Sequence, residues 1–152
     1  MPSCSPRCIR ENSPSGFNRY DTIVRLLAIE CEKGLNDYGW DLYKRMQSAR
    51  KSPDFAESSK VQFRNLIRSY EEIGYDPKSE VVLDSEHKLW DGSHRIAMAI
   101  FRHQPQINAV VLNKRKEVFY GIEWFRHNGF TNEECNLITD RFIDVWKKLG
   151  EM

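Results

Sequence analysis

No apolar run in the chain approaches the roughly 18 residues of a membrane-spanning helix. The N-terminus, Met1-Pro2-Ser3-Cys4-Ser5-Pro6-Arg7-Cys8, lacks the hydrophobic stretch of a secretion signal. Excess charge of either sign is also missing: 23 basic residues face 22 acidic ones, a net charge of +1. A nucleic-acid binder of this size usually carries a cationic excess, so the balance argues against that class. Cysteine is scarce, and of Cys4, Cys8, Cys31 and Cys135 only the first two are close together. No histidine or second cysteine pair at zinc-finger spacing completes a metal site. Cys31 and Cys135 fall in apolar-periodic stretches and read as small core residues. The expectation is a cytoplasmic protein with reduced thiols and no membrane partner.

What is present suits one domain. The chain has 152 residues, of which 40% are hydrophobic and 30% charged, enough for a sizeable core under a solvated surface. No internal repeat or second-domain boundary interrupts it. Residues 1–16 are rich in Pro, Ser and Cys without apolar periodicity, and read as a flexible tail. Residues 17–152 read as a single α+β domain with a helical insertion around 34–60.

The periodicity predicts a first helix beginning near Asp21, with Ile23, Val24, Leu27, Ala28 and Cys31 on one face and Gly34 closing it. Asn36-Asp37-Tyr38-Gly39 is a turn by composition. A second helix follows from Trp40 and fades near Lys51, where Ser52-Pro53 breaks it. Lys44 to Lys60 is polar, either a loop or the exposed ends of two helices. Val61, Phe63, Leu66, Ile67, Tyr70 and Ile73 predict a third helix ending at Gly74. Strands are expected at Glu80–Leu83, Lys88–Trp90 and Ile107–Leu112, with a helix from Ser93 to His103 between the last two. Val118-Phe119-Tyr120 either continues the sheet or leads into a short helix at Ile122–His127. Thr131 and Glu134 form a capping box for a final helix that buries Cys135, Ile138, Phe142, Val145, Trp146 and Leu149.

The stretch that carries chemistry is Asp91-Gly92-Ser93-His94-Arg95, between a strand and a helix. A helix start exposes unpaired backbone N–H groups and a partial positive charge, and so favours anions. One reading makes this turn a phosphate cradle; the plainer one has Ser93 capping the helix and Arg95 pairing with a surface carboxylate. Trp124 and His127 are candidates to line a pocket from the C-terminal side, although a tryptophan more often packs in a core. Lys114-Arg115-Lys116 is a solvated loop or a steering patch for an anionic ligand.

The order strand, turn, strand, Asp91-Gly92-Ser93-His94-Arg95, helix, strand resembles the ParB/sulfiredoxin superfamily, whose second sequence box has a Gly-x-x-Arg turn opening a helix. The resemblance covers residues 61–112 well, including the helix that ends at Gly74, and 17–60 and 113–152 loosely. It implies a ParB/sulfiredoxin-like α+β fold, a small mixed sheet with packed helices and helical additions at both ends. Sulfiredoxins carry Gly-Gly-Cys-His-Arg, and Ser93 stands where their attacking cysteine would be, so their reaction is not expected. ParB proteins bind CTP through an arginine-rich box followed by a helix-turn-helix; the single Arg95, with no basic module behind it, departs from that pattern. The superfamily's free-serine kinases, with an Asp-His-x-Arg-like turn and a separate N-terminal glutamate base, are the most similar group. The Asn18-Arg19-Tyr20-Asp21 and Asn36-Asp37-Tyr38-Gly39 stretches also resemble small proteins of surface-polysaccharide gene clusters.

The resemblance implies a nucleotide-dependent kinase acting on a hydroxyl of a small metabolite, such as an amino acid, polyol or sugar precursor. Gly92, Ser93, His94 and Arg95 would hold the phosphates of ATP or another nucleoside triphosphate or diphosphate, with Arg19 as a further contact. Asp91 would hold Mg²⁺ or orient the acceptor hydroxyl. Glu30 and Asp21 are the candidates for a catalytic base, although each reads more readily as an ordinary carboxylate on a solvated helix face. The alternative from another class is a non-catalytic nucleotide- or ligand-binding regulator of the same fold, with a nucleic-acid-binding module third.

Overall fold

In the computed structural model, which describes residues 3–6, 19–74, 80–115 and 120–150, the chain forms an α+β fold. Six helices surround a small mixed sheet among the described residues. The helices are α1 (Tyr20–Glu32), α2 (Gly39–Arg50), α3 (Pro53–Ile73), α4 (Ser93–Phe101), α5 (Ile122–His127) and α6 (Asn132–Gly150). The strands are β1 (Ser3–Cys4), β2 (Val81–Leu83), β3 (Leu89–Asp91) and β4 (Ile107–Val111).

Helix α1 is the centre of the core rather than a one-sided surface helix. Every residue from Tyr20 to Ile29 is buried, including Asp21, Thr22 and Arg25. Helices α2, α4 and α6 pack around it. The expected stripe through Ile23, Val24, Leu27 and Ala28 is therefore only part of the buried surface, and Cys31 lies half-buried at its end. A helix sunk this deep must find partners for its polar side chains, because an unpaired buried charge is strongly unfavourable. That requirement shapes the site below.

In the sheet, β2 pairs antiparallel with β3 and parallel with β4, matching Val81 to Ala109 and Val82 to Val110. The β2–β3 turn is closed by buried Asp84, whose Oδ1 accepts from the backbone N–H of Glu86 and of Lys88, each at 2.9 Å. Parallel β2 and β4 are linked through β3 and α4, which sets the start of α4 beside the end of β3.

Several boundaries differ from expectation. Within the stretch 1–16, expected as a tail, Ser3 and Cys4 pair antiparallel with Asn108 and Ile107, and Pro6 is buried. Residues 7–18 lie outside the described residues. The polar stretch from Lys44 to Lys60 is helical except at Lys51-Ser52. Pro53 does not only end α2; it occupies the first turn of α3, where a missing N–H costs nothing, and Ser52 Oγ caps that helix by accepting from Phe55 N at 3.1 Å. Helix α3 thus begins eight residues before Val61. Val118 and Phe119 fall outside the described residues, while α5 spans Ile122–His127 as expected. The Thr131–Glu134 capping box forms reciprocally, at 3.1 and 2.9 Å. Cys135, Ile138, Phe142, Val145 and Leu149 are buried as expected, with Trp146 partly so.

Candidate functional site

Gly92 makes the turn into α4 possible. Its φ of +113° lies in the region that side chains rarely adopt, and a Cβ there would sit 2.7 Å from Val81 Cγ1. Among the described residues the helix that follows has no side-chain cap. Ser93 does not play that part: its Oγ accepts from Arg19 Nη2 at 2.9 Å and faces Asp21 Oδ2 at 3.4 Å. The start of α4 thus keeps its partial positive charge without a capping oxygen.

Beneath the turn lies an ion cluster supplied largely by α1. Arg19 grips Asp21 with two parallel bonds, Nε to Oδ1 and Nη2 to Oδ2, both 2.8 Å, and also donates to Leu89 O. Arg25, one turn along from Asp21, donates to its carboxylate at 3.1 Å. The periodicity of α1 places residues 21 and 25 on one face, so the pair follows from spacing. Burial raises the Asp21 carboxyl, but the Arg19 and Arg25 guanidiniums more than reverse this and hold it far below the usual carboxylate range. Burial lowers Arg25 to about 10, which leaves it a cation at neutral pH. Arg19 therefore joins α1, β3 and α4, and Asp21 is the counter-charge that lets two arginines be buried.

His94 continues the network on the other side. Its Nε2 lies 2.9 Å from Tyr43 Oη, which is 2.6 Å from Ser59 Oγ, which accepts from Gln47 Nε2 at 2.9 Å. The Gln47 orientation is set because its Oε1 accepts from Arg50 Nη1 at 2.6 Å. Either hydroxyl can donate in the Tyr43–Ser59 contact; where Ser59 donates to Tyr43 and Tyr43 to His94 Nε2, the hydrogen of a neutral His94 sits on Nδ1. Burial, reinforced by Arg25 and Arg50, holds the His94 pKa well below its ordinary value.

Two adjoining cavities meet at this network. The outer one, of about 280 Å³, is lined by Phe63, Leu66, Asp91, Gly92, His94 and Arg95, among others. The inner one, of about 240 Å³, includes Arg19, Arg25, Arg50, Trp90, Ser93 and Tyr120. Asp91 and His94 line both, with Ser59 and Gln62. Asp91 is exposed at the seam, and Arg95 reaches the outer cavity while donating to Glu80 O at 2.6 Å.

The structure brings together Arg19, Asp21, Asp91, Gly92, Ser93, His94 and Arg95. Glu30 is not among them: it pairs with Arg141 at 2.8 Å and lines a separate cavity formed with α6. Trp124 packs edge-on against Tyr120 and Phe125, and His127 is exposed; neither lines the two adjoining cavities. Among the described residues no group of three or more His, Cys, Asp or Glu side chains could hold a metal ion, so Asp91 offers a single carboxylate. Arg25, Arg50 and Tyr43 were missed by sequence reasoning. For Arg25 a signal existed: an arginine flanked by Val24 and Leu26, four residues after Asp21, inside an apolar run.

No family model, curated protein or solved structure matches the chain. Among the described residues no helix is long and apolar enough to cross a membrane.

Proposed function

We propose that the chain is a phosphotransferase of ParB/sulfiredoxin-like fold that moves a phosphoryl group from a nucleotide to a hydroxyl of a small metabolite. The observation that carries this reading is the uncapped start of α4 opening, with Arg95 and His94, onto a cavity that also holds an exposed carboxylate, Asp91. Backbone N–H groups at residues 93–95, the Arg95 guanidinium and the neutral His94 N–H suit phosphate oxygens. In the transfer, the acceptor oxygen forms a bond to the terminal phosphorus as the bond to the bridging oxygen breaks. The leaving nucleotide takes that electron pair, and Asp91 accepts the hydroxyl proton. Were Asp91 instead to hold Mg²⁺ together with the nucleotide phosphates, as one carboxylate commonly does, the ion would neutralise phosphate charge and Asp91 would not serve as the base.

A non-catalytic nucleotide-binding regulator is the second reading, favoured by the state of the two other carboxylates. Asp21 is locked between arginines and Glu30 lies at another cavity. Purified protein incubated with ATP and Mg²⁺ and a panel of amino acids, polyols and sugars decides between them. The phosphotransferase reading expects acceptor-dependent ADP release that falls at least about 100-fold in Asp91→Asn. Nucleotide binding without any turnover favours the regulator. Unchanged nucleotide affinity in both Arg95→Ala and His94→Ala sinks both readings.

A further inference from the structure

The inner cavity is lined by three guanidiniums, those of Arg19, Arg25 and Arg50. Arg25 is only 3% exposed, and among the described residues neither its Nε nor that of Arg50 has a hydrogen-bond partner. Both Nε atoms are closed to solvent, so what the pair offers the cavity is charge, and a buried cation is costly unless an anion faces it. Arg19, Arg25 and Arg50 surround one buried carboxylate, Asp21, whose oxygens already accept from Arg19 and Arg25. The Arg50 guanidinium lies 4.6 Å over the Tyr120 ring, which with Gln47 holds it in place.

We propose that the inner cavity is the acceptor subsite and that the acceptor carries an anionic group of its own, a carboxylate or phosphate, docked on Arg25 and Arg50. Forked guanidiniums match the paired oxygens of either group. At about 240 Å³ the cavity has room for a small metabolite. An acceptor anchored there presents its hydroxyl toward Asp91 and His94, at the seam with the outer cavity. The word acceptor rests on the phosphotransferase reading; the anion subsite does not.

The test is calorimetric titration of the full chain with three compounds of similar size: glycerol 3-phosphate, glycerate and glycerol. At least one anion should bind about tenfold or more tightly than glycerol, and less tightly as salt is raised. The ranking of phosphate against carboxylate identifies the natural group. Arg50→Met should lose about tenfold in anion affinity, the worth of a charged hydrogen bond, and Arg50→Lys should recover part of it. Arg50 is chosen over Arg25 because it is less deeply buried, and thermal melts establish that both variants fold. Arg95→Ala should retain anion binding. Equal affinity for glycerol and the anions overturns the subsite, as does anion affinity that survives Arg50→Met or vanishes in Arg95→Ala alone. Anion binding through Arg50 in a protein that binds no ATP supports the subsite while removing the phosphotransferase reading.

Discussion

Asp21 and Asp91 are carboxylates at one site with opposite surroundings. Asp21 is 1% exposed and gripped by two guanidiniums, so its charge is spent on holding Arg19 and Arg25 in the interior. Asp91 is exposed and free to meet a ligand at the seam of two cavities. Asp21→Asn should therefore cost about 3–5 kcal/mol of stability, because it leaves buried arginines without their counter-charge. Asp91→Asn should stay within about 0.5 kcal/mol of the parent chain while removing turnover. Urea denaturation of both variants measures the contrast, and equal losses would refute this division of labour. The turn at 91–95 was legible because five chemistry-bearing residues sit together at a helix start. Arg50 was not, because it comes from α2 and reaches the site only through the packing of α2 against α1.

Elements were read well where one signal ruled and poorly where two competed. The capping box at Thr131 and the glycine after Ile73 left no rival reading, and both helix ends fall where expected. Ser52-Pro53 was read as a break because proline disfavours a helical residue before it; the same residue also starts helices, and the cap at Ser52 was overlooked. Close packing leaves even less trace in sequence. Gly39 opens α2 where a Cβ would lie 2.0 Å from Leu27 O, a backbone atom of α1 that cannot swing aside. Asn36 fixes the approach by donating to that same oxygen at 3.1 Å and accepting from Gly39 N at 2.8 Å. Gly39→Ala should force α1 and α2 apart at a cost of about 3 kcal/mol or more. In a domain of this size that lowers Tm by roughly 6 °C or more, measurable by calorimetry. A melt unchanged from the parent would mean the two helices are not held this closely.

At the scale of the whole molecule, near-zero net charge hides a charged interior, and that interior sets how the fold responds to pH. His94 is kept neutral because burial, Arg25 and Arg50 all lower its pKa below the ordinary 6.5. In the unfolded chain the same histidine titrates near about 6.5. Between the lowered value and about 6.5 the unfolded state binds a proton that the folded state does not, so stability rises with pH there. Acidification from neutrality should thus cost up to about 1.4 kcal/mol per pH unit from this group alone. Asp21 has the same sign at lower pH. Its folded carboxyl lies below its unfolded value, so its contribution is present above about 3.9 and is lost as pH falls through that range. Stability should therefore decline in two stages, one setting in below about 6.5 and the other below about 4. His94→Gln separates them, since glutamine does not titrate. Its stability at neutral pH will differ because the Tyr43 contact changes, but the slope between pH 5 and 7 should flatten while the lower stage persists. Urea midpoints across that range in the parent and the variant give the two slopes. If the slopes coincide, the upper stage belongs to some other group and His94 is not the internal sensor of acid.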